Sequence, residues 1–253
     1  MWGRGYIPRL RTGGLPWQDA ALSRLDLEAG TQLRVLSHDP DDGAMTCLWR
    51  IPPGWSQSAP FTLAADEELF VLAGSLDEGG YRIAQGSYGF RPQGHLHPAL
   101  TSRDGALLLA MWSAAPRRYD VGTIEAGRSP AVAWLDTHQM HEQPTPVAGP
   151  VPGINVRILR QDAASGGMTL IVAIPPRWEE SRSEHHDCVE ESYKLSGEIW
   201  LREDQRPHTL RAGDYFFRPP RIKHGPMRTA TGTASLIRFS GAVVNHYGPI
   251  AEA

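Results

Sequence analysis

Cysteine is scarce in this 253-residue chain. Cys47 and Cys188 are its only two, too few for a disulfide framework, so the fold must rest on an apolar core. Long hydrophobic runs are missing too. Stretches such as Ala106–Trp112 and Leu170–Ile174 fall far short of the roughly 20 residues a membrane-spanning helix needs. Positive charge is not in excess, with 25 Lys and Arg against 28 Asp and Glu for a net charge of −3. A nucleic-acid footprint is thereby absent at the whole-chain level. The opening residues, MWGRGYIPRLRTGG, carry arginines but no apolar segment, so a secretory leader is not expected. Helix signals are few, and Gln18–Leu27 is the one modest candidate. These absences predict a soluble, cytoplasmic protein that binds neither nucleic acid nor membrane.

What the chain does have is apolar residues at 41%, enough for a core, together with 26 glycines and 21 prolines. That is nearly a fifth of the chain, against about an eighth in average composition, and predicts many turns between short strands. The chain also repeats itself. Leu33–Trp55 and Val156–Trp178 align without a gap, pairing Arg34 with Arg157, Met45-Thr46 with Met168-Thr169, Pro52-Pro53 with Pro175-Pro176 and Trp55 with Trp178. The same offset of 123 carries Glu67 onto Glu190 and Gly74 onto Gly197. Gly86, Phe90-Arg91-Pro92 and His97 then match Gly213, Phe217-Arg218-Pro219 and His224 at an offset of 127, which places a four-residue insertion between Gly197 and Gly213. Two copies of one domain are present. Each holds short runs of bulky and β-branched residues (Leu33–Leu36, Met45–Ile51, Leu69–Leu72 and Leu107–Trp112 in the first) divided by Asp-Pro, Asp-Gly, Pro-Pro-Gly and Gly-Gly, the pattern of an antiparallel sandwich or small barrel.

The repeated residues resemble the cupin superfamily. Its motif G-x5-P-x-G-x2-H is met in copy one by Gly86, Pro92, Gly94 and His97, and in copy two by Gly213, Pro219 and His224 with Arg221 at the inner glycine. Its other motif, roughly H-x-H-x3-E-x6-G, fits copy two as Glu184, His186, Glu190 and Gly197, with glutamate in place of the first histidine. In copy one Phe61 and Leu63 stand where both histidines belong, ahead of Glu67 and Gly74. The resemblance implies an all-β chain of two tandem jelly-roll (double-stranded β-helix) barrels. Residues 1–113 would form an N-terminal barrel with a degenerate site, 114–153 a connection, and 154–253 a metal-binding barrel. Trp134 is expected to repeat Trp17, each packing on its own barrel. Among cupins the pairing looks most like ChrR-like domains and acetylacetone-cleaving dioxygenases.

The residues support a site in copy two on their own terms. Alternate strand residues share a face, so Glu184, His186 and Glu190 point one way, and His224 would arrive from a neighbouring strand. Two imidazoles with carboxylates suit one divalent transition metal, Fe(II) by preference, with Mn, Ni or Zn also fitting. His185 competes with His186 if a bulge shifts the register, and Cys188 is a possible soft ligand or an inert buried thiol. Inward parity continues from Glu190 to Ser192, Lys194 and Ser196, but from Glu67 to Leu69, Val71 and Ala73. One interior is polar and the other apolar. A buried Lys194 needs an anionic partner, and an anionic substrate would serve. Asp187 and Glu191, of opposite parity, are expected to be solvated. Arg218, Arg221, Lys223 and Arg228 are either a cationic rim or a solvated face, Trp178 and Trp200 line a mouth or sit in the core, and His208 is expected to be exposed.

The favoured function is an Fe(II)-type dioxygenase acting on a small oxygenated organic molecule that chelates the metal through its oxygens, with Glu190 and Lys194 as the catalytic candidates. The alternatives are a non-catalytic metal- or ligand-binding sensor and a metal-assisted isomerase. A homodimer is compatible with the residues.

Overall fold

Short apolar runs cut by turn residues can satisfy their backbone hydrogen bonds only by pairing with one another. The computed structural model describes residues 4–20, 30–147, 149, 152–203 and 206–250, with residues 249 and 250 described by backbone alone. These residues are strands, turns and two short 3-10 segments. No helix among them is long and apolar enough to cross a membrane. The chain forms two compact units, the first from residues 1–4 and 15–139 and the second from residues 5–14 and 140–253. Each is a jelly-roll barrel.

The long strand Glu190–Glu203 organises the second unit. Its first half pairs with Asp214–Arg218 on one side and Thr233–Phe239 on the other. Its second half pairs with Arg206–Arg211 and with His224–Thr229. One strand thus serves both walls of the barrel, and it changes wall at Gly197, where φ is +67° and a Cβ would lie 2.0 Å from the Gly232 carbonyl oxygen. Gly74 does the same in the first unit, at φ +74° and 2.1 Å from the Gly105 oxygen. The motif glycine is where no side chain fits.

A bulge precedes each of these glycines and limits the parity argument. Lys194 pairs with Ser235, but Ser196 pairs with Ala234. Ser196 is therefore exposed, and the inward series resumes at Ile199, Leu201 and Glu203. Ala73 is likewise exposed after the shift between Leu107 and Leu108, because an extra residue on one strand reverses which face it presents. The four-residue insertion lengthens the hairpin that follows Gly197.

Each copy opens with a leader strand, and the leaders are exchanged. Ile7–Arg11 precedes copy one yet pairs with Asp214–Arg218 of the second unit, Leu10 opposite Tyr215. Val132–Asp136 precedes copy two yet pairs with Ser87–Arg91 of the first unit, Leu135 opposite Tyr88. Behind each leader a threonine hydroxyl donates to the motif glycine's carbonyl, Thr12 to Gly213 at 2.6 Å and Thr137 to Gly86 at 2.7 Å. Residues 114–153 are therefore not a separate connection. Most of them complete the first unit, and Trp134 packs on that unit rather than on the barrel of its own copy. The expected helix at Gln18–Leu27 begins instead as the strand Gln18–Asp19, paired with Gln32 and Leu33; residues 21–27 lie outside the described ones.

Candidate metal centre

In the second unit Glu184 and His224 are a cross-strand pair. His186 stands one residue beyond the strand Arg182–His185, and Glu190 opens the long strand. The His186 carbonyl accepts the Arg221 N–H at 2.7 Å. Arg221 holds φ +70° in place of the motif's inner glycine, a conformation uncommon for a side-chain-bearing residue. All four candidate ligands line a cavity of about 130 Å³ whose other walls are mostly apolar, including Leu170, Trp178, Ile199, Phe216, Ile237 and Phe239.

The polar ends converge. His224 Nε2 lies 3.5 Å from Glu184 Oε1 and 3.8 Å from Glu190 Oε2, and His186 Nε2 lies 3.8 Å from the same Glu190 oxygen. The ligand atoms of Glu184, His186 and His224 all fall within 4.8 Å of one another. Glu190 is also engaged elsewhere, accepting from Arg218 Nη1 at 2.9 Å. Arg218 in turn donates to both oxygens of Glu203, at 2.9 and 3.1 Å, and Glu203 accepts from the Tyr6 hydroxyl at 2.7 Å. Burial opposes ionisation of Glu190, but the Arg218 guanidinium and the two imidazoles outweigh it and hold the carboxyl down at about 2. His186 is shifted down chiefly by burial, against the pull of Glu190, a direction that favours the neutral form a metal ligand needs. His224 Nδ1 sits 3.2 Å from the Ile222 carbonyl, which can only accept, so Nδ1 donates there and Nε2 is the nitrogen turned toward Glu184 and Glu190.

The 3.5 and 3.8 Å separations among His224, His186, Glu184 and Glu190 are too long for good hydrogen bonds and close to the roughly 3.0–3.4 Å that separates neighbouring ligand atoms around an ion bonded at about 2.1 Å. The His186 Nδ1 is buried with no hydrogen-bond partner, and two imidazoles with two carboxylates form a donor set typical of divalent transition metals. The residues fit a metal.

The first unit shows what the same frame looks like when closed. Phe61, in the place of Glu184, stacks on His97 with centroids 4.6 Å apart. Trp112, in the place of Phe239, donates its indole N–H to Glu67 at 3.1 Å. Arg91 bridges Glu67 and Glu78 as Arg218 bridges Glu190 and Glu203, and Trp134 donates to Glu78 as Tyr6 does to Glu203. The remaining cavity is about 20 Å³, room for about one water molecule. Burial, reinforced by Arg91, holds the His97 imidazole down at about 2. The ion-pair frame is common to both units and the cluster is not.

Other candidates fall elsewhere. His185 turns out of the cavity and stacks on His246 at 4.9 Å, so no bulge brings it to the cluster. Cys188 packs with Val156, Met168 and Leu170, and burial raises its thiol. Glu191, expected to be solvated, is buried, accepting from Tyr215 at 2.9 Å and facing Arg238 at 3.3 Å; Glu68 and Tyr88 repeat the contact at 2.7 Å. Asp187 is exposed as expected. Arg218 is buried in its ion pairs and cannot belong to a cationic rim, Arg221 is exposed beside Asp187, and Arg228 lies over the Trp200 ring. His208 is half-buried, 3.6 Å from Glu203. Trp178 lines the cavity. Lys194 lies in the same cavity, its ammonium donating to Ser235 at 2.8 Å. The residues missed from sequence are Glu203 and Tyr6. Their one signal was Glu78, which ends its long strand before the hairpin turn just as Glu203 does.

Comparison with known proteins gives a family and a fold. A family model described as a domain of unknown function, DUF4437, matches residues 13–246. A protein from Shewanella woodyi named 3-hydroxyanthranilate 3,4-dioxygenase is 34% identical over 109 residues, 41% of this chain and 51% of that protein; the match thus spans about half of the relative's length. Among solved structures, a Nostoc punctiforme protein described as a putative dioxygenase superposes with a TM-score of 0.80 at 19% identity, covering 99% of this chain and 92% of the other. An oxalate decarboxylase from Lactobacillus farciminis superposes with a TM-score of 0.64 at 12% identity, covering 96% and 88%. At such identities these structures speak for the fold alone, and that fold is the cupin barrel. The chain belongs to the DUF4437 family.

Proposed function

We propose that this protein is a metal-dependent dioxygenase of two cupin barrels, acting in the cytoplasm on a small oxygenated organic substrate. The observation that carries the proposal is the meeting of Glu184, His186, His224 and Glu190 in a mostly apolar cavity of the second unit, an arrangement that the described residues of the first unit do not repeat. The name of the Shewanella woodyi relative supports the reaction class, and kinship with acetylacetone-cleaving dioxygenases would be in keeping with it.

In this reading Glu184, His186 and His224 hold the ion, with Glu190 beside them. Two imidazoles with carboxylates favour Fe(II), and Mn, Ni or Zn would also fit. When bound, the metal supplies Lewis acidity toward substrate oxygens and the redox chemistry of oxygen insertion. Arg218 keeps Glu190 ionised so that its proton does not compete for the site. The apolar walls exclude water from the reacting groups, and Lys194 steadies negative charge on the substrate.

Protein purified without added metal should carry one equivalent per chain. His186→Ala should lose it and His97→Ala should keep it. Loaded with Fe(II) under anaerobic conditions and then given O2, the protein should consume oxygen only when a chelating substrate is present. 3-Hydroxyanthranilate, β-diketones and hydroxy-ketones form the first panel. Two equivalents per chain, or one surviving His186→Ala, would refute the site. Turnover indifferent to O2 would point to an isomerase, and tight binding of one ligand without turnover to a sensor.

A further inference from the structure

The two units differ sharply at one position away from the metal cluster. Lys194 and Ser235 are a cross-strand pair in the second unit, and the equivalent pair in the first is Val71 and Leu108. Both apolar residues are 0% exposed. The barrel needs only an apolar pair at this place, so the fold does not explain the lysine.

Nor does its environment. Lys194 is 5% exposed, and the hydroxyl of Ser235 is its one hydrogen-bond partner among the described residues. No carboxylate lies within ion-pair distance of it there. A buried ammonium with a single neutral partner is costly. Burial first, then the Arg218 charge, holds the amine down at about 7, with Glu190 and Asp214 pulling the other way. Arg218 is itself spent on Glu190 and Glu203. The missing element is an anion, and the cavity that Lys194 lines is where one would enter.

We infer that Lys194 and Ser235 form an anion-binding subsite that receives the carboxylate of a largely apolar substrate, whose other end reaches the Glu184–His186–His224 cluster. Lys194 and Glu190 are four residues apart on an unbroken stretch of one strand, about 13 Å along the backbone, and both line the cavity. Leu170, Ile237 and Phe216 line its walls and favour a hydrocarbon or aromatic body. The inference rests on the proposed function only in taking this cavity as the substrate site.

The test uses metal-free protein, so that a carboxylate cannot simply bind the ion. Calorimetric titration with benzoate and hexanoate is compared with benzamide and hexanamide, in wild type and in Lys194→Met. The acids should bind wild type at least tenfold more tightly than the amides. Lys194→Met should weaken the acids at least tenfold, leave the amides unchanged, keep metal uptake at the wild-type level, and not lower the melting temperature of the ligand-free protein. Acids and amides bound alike by wild type, no binding of either acid, or acid affinity retained in Lys194→Met would overturn the subsite. So would a variant that loses acids and amides together and melts lower, which would mark Lys194 as structural. Failure of wild type to take up metal while it still discriminates acid from amide would refute the metal centre and leave the subsite standing.

Discussion

Arg218→Met removes the cation that joins Glu190 to Glu203. Arg218 is 3% exposed and the two carboxylates are 6% and 2% exposed, so the variant leaves two buried carboxylates facing each other across a methionine. Breaking a buried pair from one side costs about 3–5 kcal/mol, because the surviving charge is stranded. In a unit of this size that lowers the melting temperature by about 10–20 °C. The pH dependence has a definite sign. In wild type Glu190 is depressed to about 2, so its stabilisation is complete above the ordinary carboxylate range and is lost as pH falls toward 2. Without Arg218 burial dominates, the folded state prefers the protonated acid, and the deficit of the variant shrinks as pH falls. Glu203→Gln sharpens the test. In wild type it strands part of Arg218 and destabilises; in Arg218→Met it removes a stranded charge and restores part of the loss. Differential scanning calorimetry of the metal-free protein reads all four corners of this cycle. A loss below about 1 kcal/mol in Arg218→Met, or an equal effect of Glu203→Gln in both backgrounds, would refute the account of Arg218 as the clamp on Glu190.

Two further outcomes follow from geometry. Gly197→Ala places a Cβ 2.0 Å from a carbonyl oxygen at φ +67° and should cost about 3 kcal/mol or more; Gly54→Ala, at φ +73° with open space around it, should cost about 1 kcal/mol, and urea midpoints rank the two. His97, held neutral down to about 2 in the folded first unit, takes a proton on unfolding below its ordinary value. Stability should therefore fall by about 1.4 kcal/mol per pH unit of acidification from this residue; His97→Gln should remove that slope, and an unchanged slope would assign it elsewhere.

Much of this protein is legible in its residues. The duplication, the strand-and-turn pattern and the two motif frames are local properties that depend on spacing alone, and they were enough to bring Glu184, His186, Glu190 and His224 together and to put Lys194 where the first barrel has Val71; the polar interior expected of the second barrel is instead a mostly apolar cavity. Parity carried the reading as far as Lys194 because β-strand periodicity holds until something interrupts it. The bulge before Gly197, with Leu195 as the extra residue on the long strand, interrupts it, and no single residue announces it. Tertiary structure alone decided the rest. The exchange of the leader strands depends on which edge is open when the barrels close, so Trp134 and Ile7 could not be assigned from their own neighbourhoods. Glu191 is buried because Tyr215 and Arg238 come to it from other strands. Glu190 is clamped by Arg218, itself held by Glu203 and Tyr6, four groups spread from residue 6 to residue 218 that only strand pairing brings within hydrogen-bond reach. Sequence sets which side chains are available and which face they take within one strand; the long-range closure of backbone hydrogen bonds sets which strands meet, and so which charges are shared.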